Sequence, residues 1–327
     1  MSSSSGLMTQ LEETVLTFKI SDNAGVVWID TARAMSMVNR KLMRQQGLWE
    51  ILGVQLYSDV LDTNPVGSLN KGRYGSAYTV AMSGAPRTWV TRNSLVKAFH
   101  AWKAQQKLAL DSAGSQSLRP RWEDFKVWLN DGHRTGTTIT PVSGHQFGNS
   151  DAYAVGEWVQ SKIVYEEVDG AGAVVQQEPE LHILGADNMP QAVGLITQYG
   201  ISRALPFSPD PELPSSIALN IYTQSANALS EQVEEITTNM KTDNNDAPYD
   251  PDDYPGTANN GHDPLLFGYV ANTTGATNGR KTVMNGFAAP NGLIEVQYNI
   301  DLPYNGEHQA VDPELWIQLV VGRRSDY

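Results

Sequence analysis

The chain has 327 residues, 40% of them hydrophobic and 18% charged, with a net charge of −13 and no cysteine. At this length folding buries enough apolar surface to need no covalent staple, and the absence of cysteine excludes disulfides, zinc–thiolate sites, iron–sulfur clusters and thiol nucleophiles. The opening MSSSSGLMTQLEE has neither the basic start nor the apolar run of a secretory signal, and no stretch approaches the roughly 18 apolar residues of a transmembrane helix, so no transmembrane segment is expected.

In chain order, residues 1–12 read as a disordered tail and 13–327 as a single β-rich domain. ETVLTFKI sets Val15 and Thr17 against Leu16, Phe18 and Ile20, the alternation of a half-buried strand. The turn residues from Asp22 to Gly25 lead into VVWID, and LWEILGVQLYSDV and SAYTVAMSG follow as further strands. A helix is expected from about Thr91, capped by Thr91 or Asn93, with Leu95, Phe99 and Trp102 on one face. FKVWL, EWVQSKIVYEEV and ELHILGA read as strands, and GAGA at 170–173 as a hairpin tip. A short helix is expected over 191–204, and a longer one opens after Pro214 with Ser215 or Ser216 as cap. It runs to about Met240 and carries Ile217, Ile221, Leu229, Val233 and Ile236 at helical spacing. LLFGYV, GLIEVQYNI and ELWIQLVVG are the last strands. Nine or so strands with two inserted helices predict a mainly β sandwich of the jelly-roll kind, not alternating βαβ units. Three polar loops, SLRPR, DGHRTGTTITPVSGHQFGNSD and KTDNNDAPYDPDDYPGTANNGHDP, exceed what a hairpin needs and point to functional or interface segments.

Catalytic signatures are missing. There is no GxxxxGK[ST], no GxGxxG after a strand, no HExxH and no GxSxG, so no enzyme is expected. His133 and His145 share a loop and are the one histidine pair a metal would bring together; otherwise they read as surface residues. The run DNNDAPYDPDD offers hard oxygen ligands, with Asp250, Asp252 and Asp253 as candidates for calcium, but it lacks the sixth-position glycine and closing glutamate of an EF-hand. With 8 Trp, 13 Tyr and many acidic residues, a carbohydrate-binding or glycoside-hydrolysing sandwich is the alternative reading. Against it, Trp28, Trp49, Trp102, Trp128, Trp158 and Trp316 sit inside strand or helix patterns, where core packing is the default.

The charge is unevenly spread. Between Arg33 and Arg134 there are fifteen Lys/Arg against seven Asp/Glu, a local +8, which leaves −21 on the remainder. Folded onto separate faces, these segments give a two-sided protein whose basic side suits phosphates. Arg40, Lys41 and Arg44 on NRKLMRQQG, with Arg119 and Arg121 on RPRW, are the nucleic-acid-facing candidates. Lys97, Lys103 and Lys107 come second to these, since an exposed helix face needs lysines for solubility anyway.

The stretches AFHAWKAQQKLAL, RPRWEDFKVWLNDGHR, VGEWVQSKIVYEEV, NMKTDNNDAPYDPDDYPG and DPELWIQLVVGRRSDY resemble capsid proteins of small single-stranded DNA viruses with circular, Rep-encoding genomes. The resemblance spreads over most of the chain but rests on texture, with no short diagnostic motif. It implies a single jelly roll of two four-stranded sheets, many copies assembled into an icosahedral shell around packaged single-stranded DNA, and residence in the virion or, during assembly, in the host cell. A double jelly roll is the structural alternative. One departure stands out: such proteins often begin with an arginine-rich arm, and MSSSSGLMTQLEE has none. A shell enclosing a membrane, or a separate packaging protein, would account for that.

Overall fold

The computed structural model describes residues 14–62, 73–74, 77–114, 120–143, 151–168, 170, 172–203, 238–239, 254–257, 265–272, 281–301 and 310–325. The chain opens with β1 (Val15–Ile20) and β2 (Ala24–Asp30), then α1 (Thr31–Asn39), β3 (Leu48–Asp62), the two-residue β4 (Arg73–Tyr74) and β5 (Ala77–Gly84). Next come α2 (Trp89–Ser112), α3 (Asp131–Thr135), β6 (Val142–Ser143), β7 (Asp151–Ala152), β8 (Tyr165–Val168), β9 (Val174–Gln177), β10 (Glu180–His182), β11 (Ala192–Gly194) and α4 (Leu195–Ile201). Four long strands finish the order: β12 (Leu265–Asn272), β13 (Thr282–Pro290), β14 (Leu293–Asp301) and β15 (Ala310–Ser325).

Two antiparallel sheets carry the fold. One runs β1-β15-β3-β13, with β4 appended to the end of β3, and the other runs β12-β5-β14-β2. Counting only these eight long strands, the orders are 1-8-3-6 and 5-4-7-2, so the chain crosses between sheets at nearly every connection. That is the winding of a single jelly roll, and one sandwich, not two barrels, holds the described long strands. β1 shows why the sequence takes this form: Leu16, Phe18 and Ile20 point into the core while Val15, Thr17 and Lys19 point out. Ile29, Ile51, Leu56, Val80, Val296 and Ile317 join them from both sheets. The crossing from β13 to β14 is made at Asn291 and Gly292, both at positive φ. A side chain on Gly292 would meet Thr31 and Trp49 at 3.0 Å, so only glycine fits there.

The one connection that stays within a sheet, β5 to β12, holds the insertion of residues 85–264. It builds a second core from Leu95, Phe125, Leu129, Ile183 and Ile196, and that core leans on Trp28 and Leu293 of the sandwich. The expected FKVWL strand is an extended segment: Trp128 N donates to Leu181 O at 2.8 Å and Ile183 N to Trp128 O at 3.0 Å, but only one bridge forms. Residues 137–141 lie along the free edges of both sheets, with Trp28 N donating to Thr137 O at 3.0 Å and Phe18 bridging Pro141. They shield edges that would otherwise be open to other strands.

Two expectations need correction here. α2 begins at Trp89, one turn before the expected start, because Thr88 is the cap and accepts from Thr91 N at 3.3 Å. α1 and β13 were not expected at all. The GAGA hairpin does form, joining β8 to β9 with Gly172 at positive φ; of the expected 191–204 helix only α4 is helical, because Ala192–Gly194 pair as β11. The tail 1–12 and the long helix after Pro214 lie outside the described residues, except that Thr238 and Asn239 are helical.

Candidate nucleic-acid interface

The basic residues of NRKLMRQQG are placed by the ends of α1. Asp30, the last residue of β2, caps the helix by accepting from Arg33 N at 3.0 Å. At the other end Arg40 takes the left-handed conformation that commonly terminates helices. The Ser36 hydroxyl then accepts from Met43 N at 2.8 Å and folds the following loop back over the helix. Farther on, Arg324 of β15 donates to the carbonyls of Arg44 and Gln46, at 3.3 and 3.0 Å, and fastens the loop to the sandwich. Arg40, Lys41 and Arg44 are left exposed.

Gln45 connects this loop to the segment holding Arg121. Fully buried, it accepts from Val127 N at 2.6 Å and donates to Val127 O at 3.0 Å and to the Asp30 carboxylate at 3.1 Å. Sequence reasoning passed over it, because a glutamine in a polar run carries no periodic signal. The result is one face. A cleft of about 420 Å³ is lined by Arg33, Arg40, Lys41, Trp122, Val155 and Trp158, and an adjoining hollow of about 390 Å³ by Lys41, Arg44 and Arg324. Trp122 is 60% exposed, and the Arg121 guanidinium lies over its ring at 5.1 Å. The structure thus gathers Arg40, Lys41, Arg44 and Arg121; Arg119 lies outside the described residues. Cations around an exposed indole offer phosphate contacts and a stacking surface together.

Lys126, by contrast, is withdrawn from this face. It is buried with its ammonium 4.7 Å from the Trp158 ring, and that burial lowers its pKa. Burial likewise raises the Asp124 carboxyl, although the Arg44 and Lys126 charges pull the other way. The Asp30 carboxyl is raised by the same cause, against the pull of its bonds from Arg33 N–H, Trp158 and Gln45.

For His133 the expectation of a surface histidine is overturned. His133 is buried, stacked on Trp28 with ring centroids 5.6 Å apart and edge-on to Trp128 at 4.8 Å. Its Nδ1 accepts from Leu129 N at 3.2 Å, which leaves Nε2 to donate to the Thr138 hydroxyl at 2.9 Å. Burial, with Arg33 nearby, lowers its pKa to about 3, so the ring is a neutral packing element. Gly136 makes room for the Trp28 ring on which it stacks, since a Cβ there would sit 2.1 Å from that ring. His145, Asp250, Asp252 and Asp253 lie outside the described residues, among which no group of three or more metal-ligating side chains occurs. No described helix is long and apolar enough to cross a membrane. No family model, curated protein or solved structure matches the chain.

Proposed function

We propose that the chain is the subunit of a self-assembling icosahedral shell that encloses a genome of single-stranded DNA. Its role is structural, not catalytic, and its place is the virion and the host cell in which virions assemble. The observation that carries this reading is the strand order 1-8-3-6 over 5-4-7-2, a winding shared by viral coat domains. Fold alone supports many functions, so the basic face adds the second support. On this reading Arg40, Lys41, Arg44 and Arg121 turn toward the cargo, Trp122 stacks on its bases, and the acidic remainder faces outward or lines contacts between subunits.

Size-exclusion chromatography and negative-stain microscopy of recombinant protein test the reading, and closed particles are expected. A monomer that persists across salt and pH and binds a glycan array would overturn it in favour of the carbohydrate reading. Replacing Arg40, Lys41 and Arg44 together by Gln should cut the nucleic acid that copurifies with particles several-fold. It should also lower the slope of log affinity for a single-stranded oligonucleotide against log salt by about 2. Unchanged packaging across salt would detach the basic face from the cargo.

A further inference from the structure

On another part of the insertion, α2 and α4 flank an apolar cavity of about 410 Å³. Ser94, Ala98 and Ala101 line it from one face of α2, at i, i+4 and i+7, while Leu181, Val193 and Leu195 line it from the elements packed against that helix. Its size falls within the range of about 300–1,000 Å³ usual for small-molecule sites. Lys97 supplies a cation to the lining. Its Nζ donates to the Ser202 hydroxyl at 2.6 Å and lies 5.7 Å from the Tyr199 ring centroid. Neither contact neutralises the charge, and among the described residues Lys97 forms no ion pair with a carboxylate. An ammonium has three donors, so the hydroxyl leaves it capacity for an anion.

We propose that this cavity binds a free amphipathic carboxylate, a medium-chain acyl anion whose tail fills the apolar space and whose head pairs with Lys97. The two halves of the site select for the two halves of that ligand. Apolar walls favour a hydrocarbon tail in proportion to the area they cover. The ammonium, held at the lining by Ser202, favours a carboxylate over an alcohol of the same length through its charge. The site is separate from the basic face and does not depend on the shell reading. Occupancy joins α2 to α4 and stabilises the insertion by mass action.

The test is calorimetric titration of sodium dodecanoate, below its micellar range, into the purified full-length chain. Saturable one-to-one binding is expected, about tenfold weaker or more in Ala101→Phe, which narrows the cavity from an exposed position. Lys97→Met should weaken dodecanoate by a similar factor while leaving dodecanol unaffected, and circular dichroism verifies that both variants fold. Should Ala101→Phe misfold, the Lys97→Met comparison of acid with alcohol decides alone. Absent saturable heat, or equal affinity in wild type and both folded variants, overturns the proposal. So does adsorption to phosphatidylglycerol vesicles with no saturable dodecanoate binding. A change of oligomeric state in Ala101→Phe with no ligand bound overturns it as well, and assigns the cavity to a second copy of the chain.

Discussion

The sandwich and the insertion between β5 and β12 solve the same burial problem with different materials. In the sandwich, long strands donate alternate side chains to an apolar core, and their backbone groups pair in long ladders. In the insertion the described strands are two to four residues long, so side chains meet much of the backbone demand: Gln45 for Val127, His133 for Leu129, Asp187 for Gly194. The second core also draws on Trp28 and Leu293, which lie on strands of the sandwich. A ladder tolerates substitution because each residue makes a small contribution, whereas a polar network concentrates its stability in few groups. Dependence between the regions should therefore run one way, with the insertion needing the sandwich.

Core truncation is the strongest test of that hierarchy. Phe18→Ala in the sandwich and Phe125→Ala in the insertion remove fully buried rings, and each should cost about 3–5 kcal/mol in urea denaturation. Hydrogen exchange should separate them. Phe18→Ala should strip protection from both regions, while Phe125→Ala should open the insertion and leave β1, β3 and β15 protected. Loss of sandwich protection in Phe125→Ala would break the hierarchy. Gln45→Ala sharpens it, because it orphans the Val127 N–H and C=O and a hydrogen bond to Asp30. A loss of about 3 kcal/mol is expected, together with weaker oligonucleotide binding as Arg44 and Arg121 lose their common support.

The smallest effect is a pH dependence seated in the insertion. The buried ring of His133 protonates only near pH 3, whereas in the unfolded chain it protonates near pH 6.5. Between those values the unfolded state binds the extra proton, so stability falls as pH drops, by about 1.4 kcal/mol per unit or about 2 kcal/mol by pH 5. His182, also lowered by burial, acts in the same direction. Asp30 opposes both, since its raised folded pKa adds stability as pH falls through it. His133→Gln should accordingly flatten the slope of stability against pH, as followed by urea midpoints from pH 7 to 5.

The same contrast decides what the sequence discloses. β1 and β14 were readable because alternation is a local property of the strand itself, and β2 because its β-branched and aromatic run follows turn residues. β13 was not, because TVMNGFAAP has the Asn, Gly and Pro of a loop, and it is a strand because β3 offers it a partner. Close packing also fixes Gly286 there, where a Cβ would lie 2.5 Å from the Ile51 carbonyl. α1 had a usable signal in Asp30 three residues ahead of Arg33, a cap masked by the strand pattern running into it. At the candidate site the arginines and lysines were visible as charge, but their convergence depends on Gln45, whose partner is 82 positions away. The burial of His133 was hidden for the same reason, since Trp28 closes over it from another element.

The placement of β15 has a consequence for synthesis. In its sheet it lies between β1, which is made long before it, and β3, and it is bonded to β3 along most of its length and to β1 from Leu315 to Val320. Until translation has passed this strand, β1 has no neighbour in that sheet and the sandwich stays unzipped down one side. An incomplete chain that stops before Ala310 exposes Leu16, Phe18 and Ile20 to quality-control machinery instead of closing over them. Late insertion of one strand thereby makes synthesis of β15 the condition for closing the sheet.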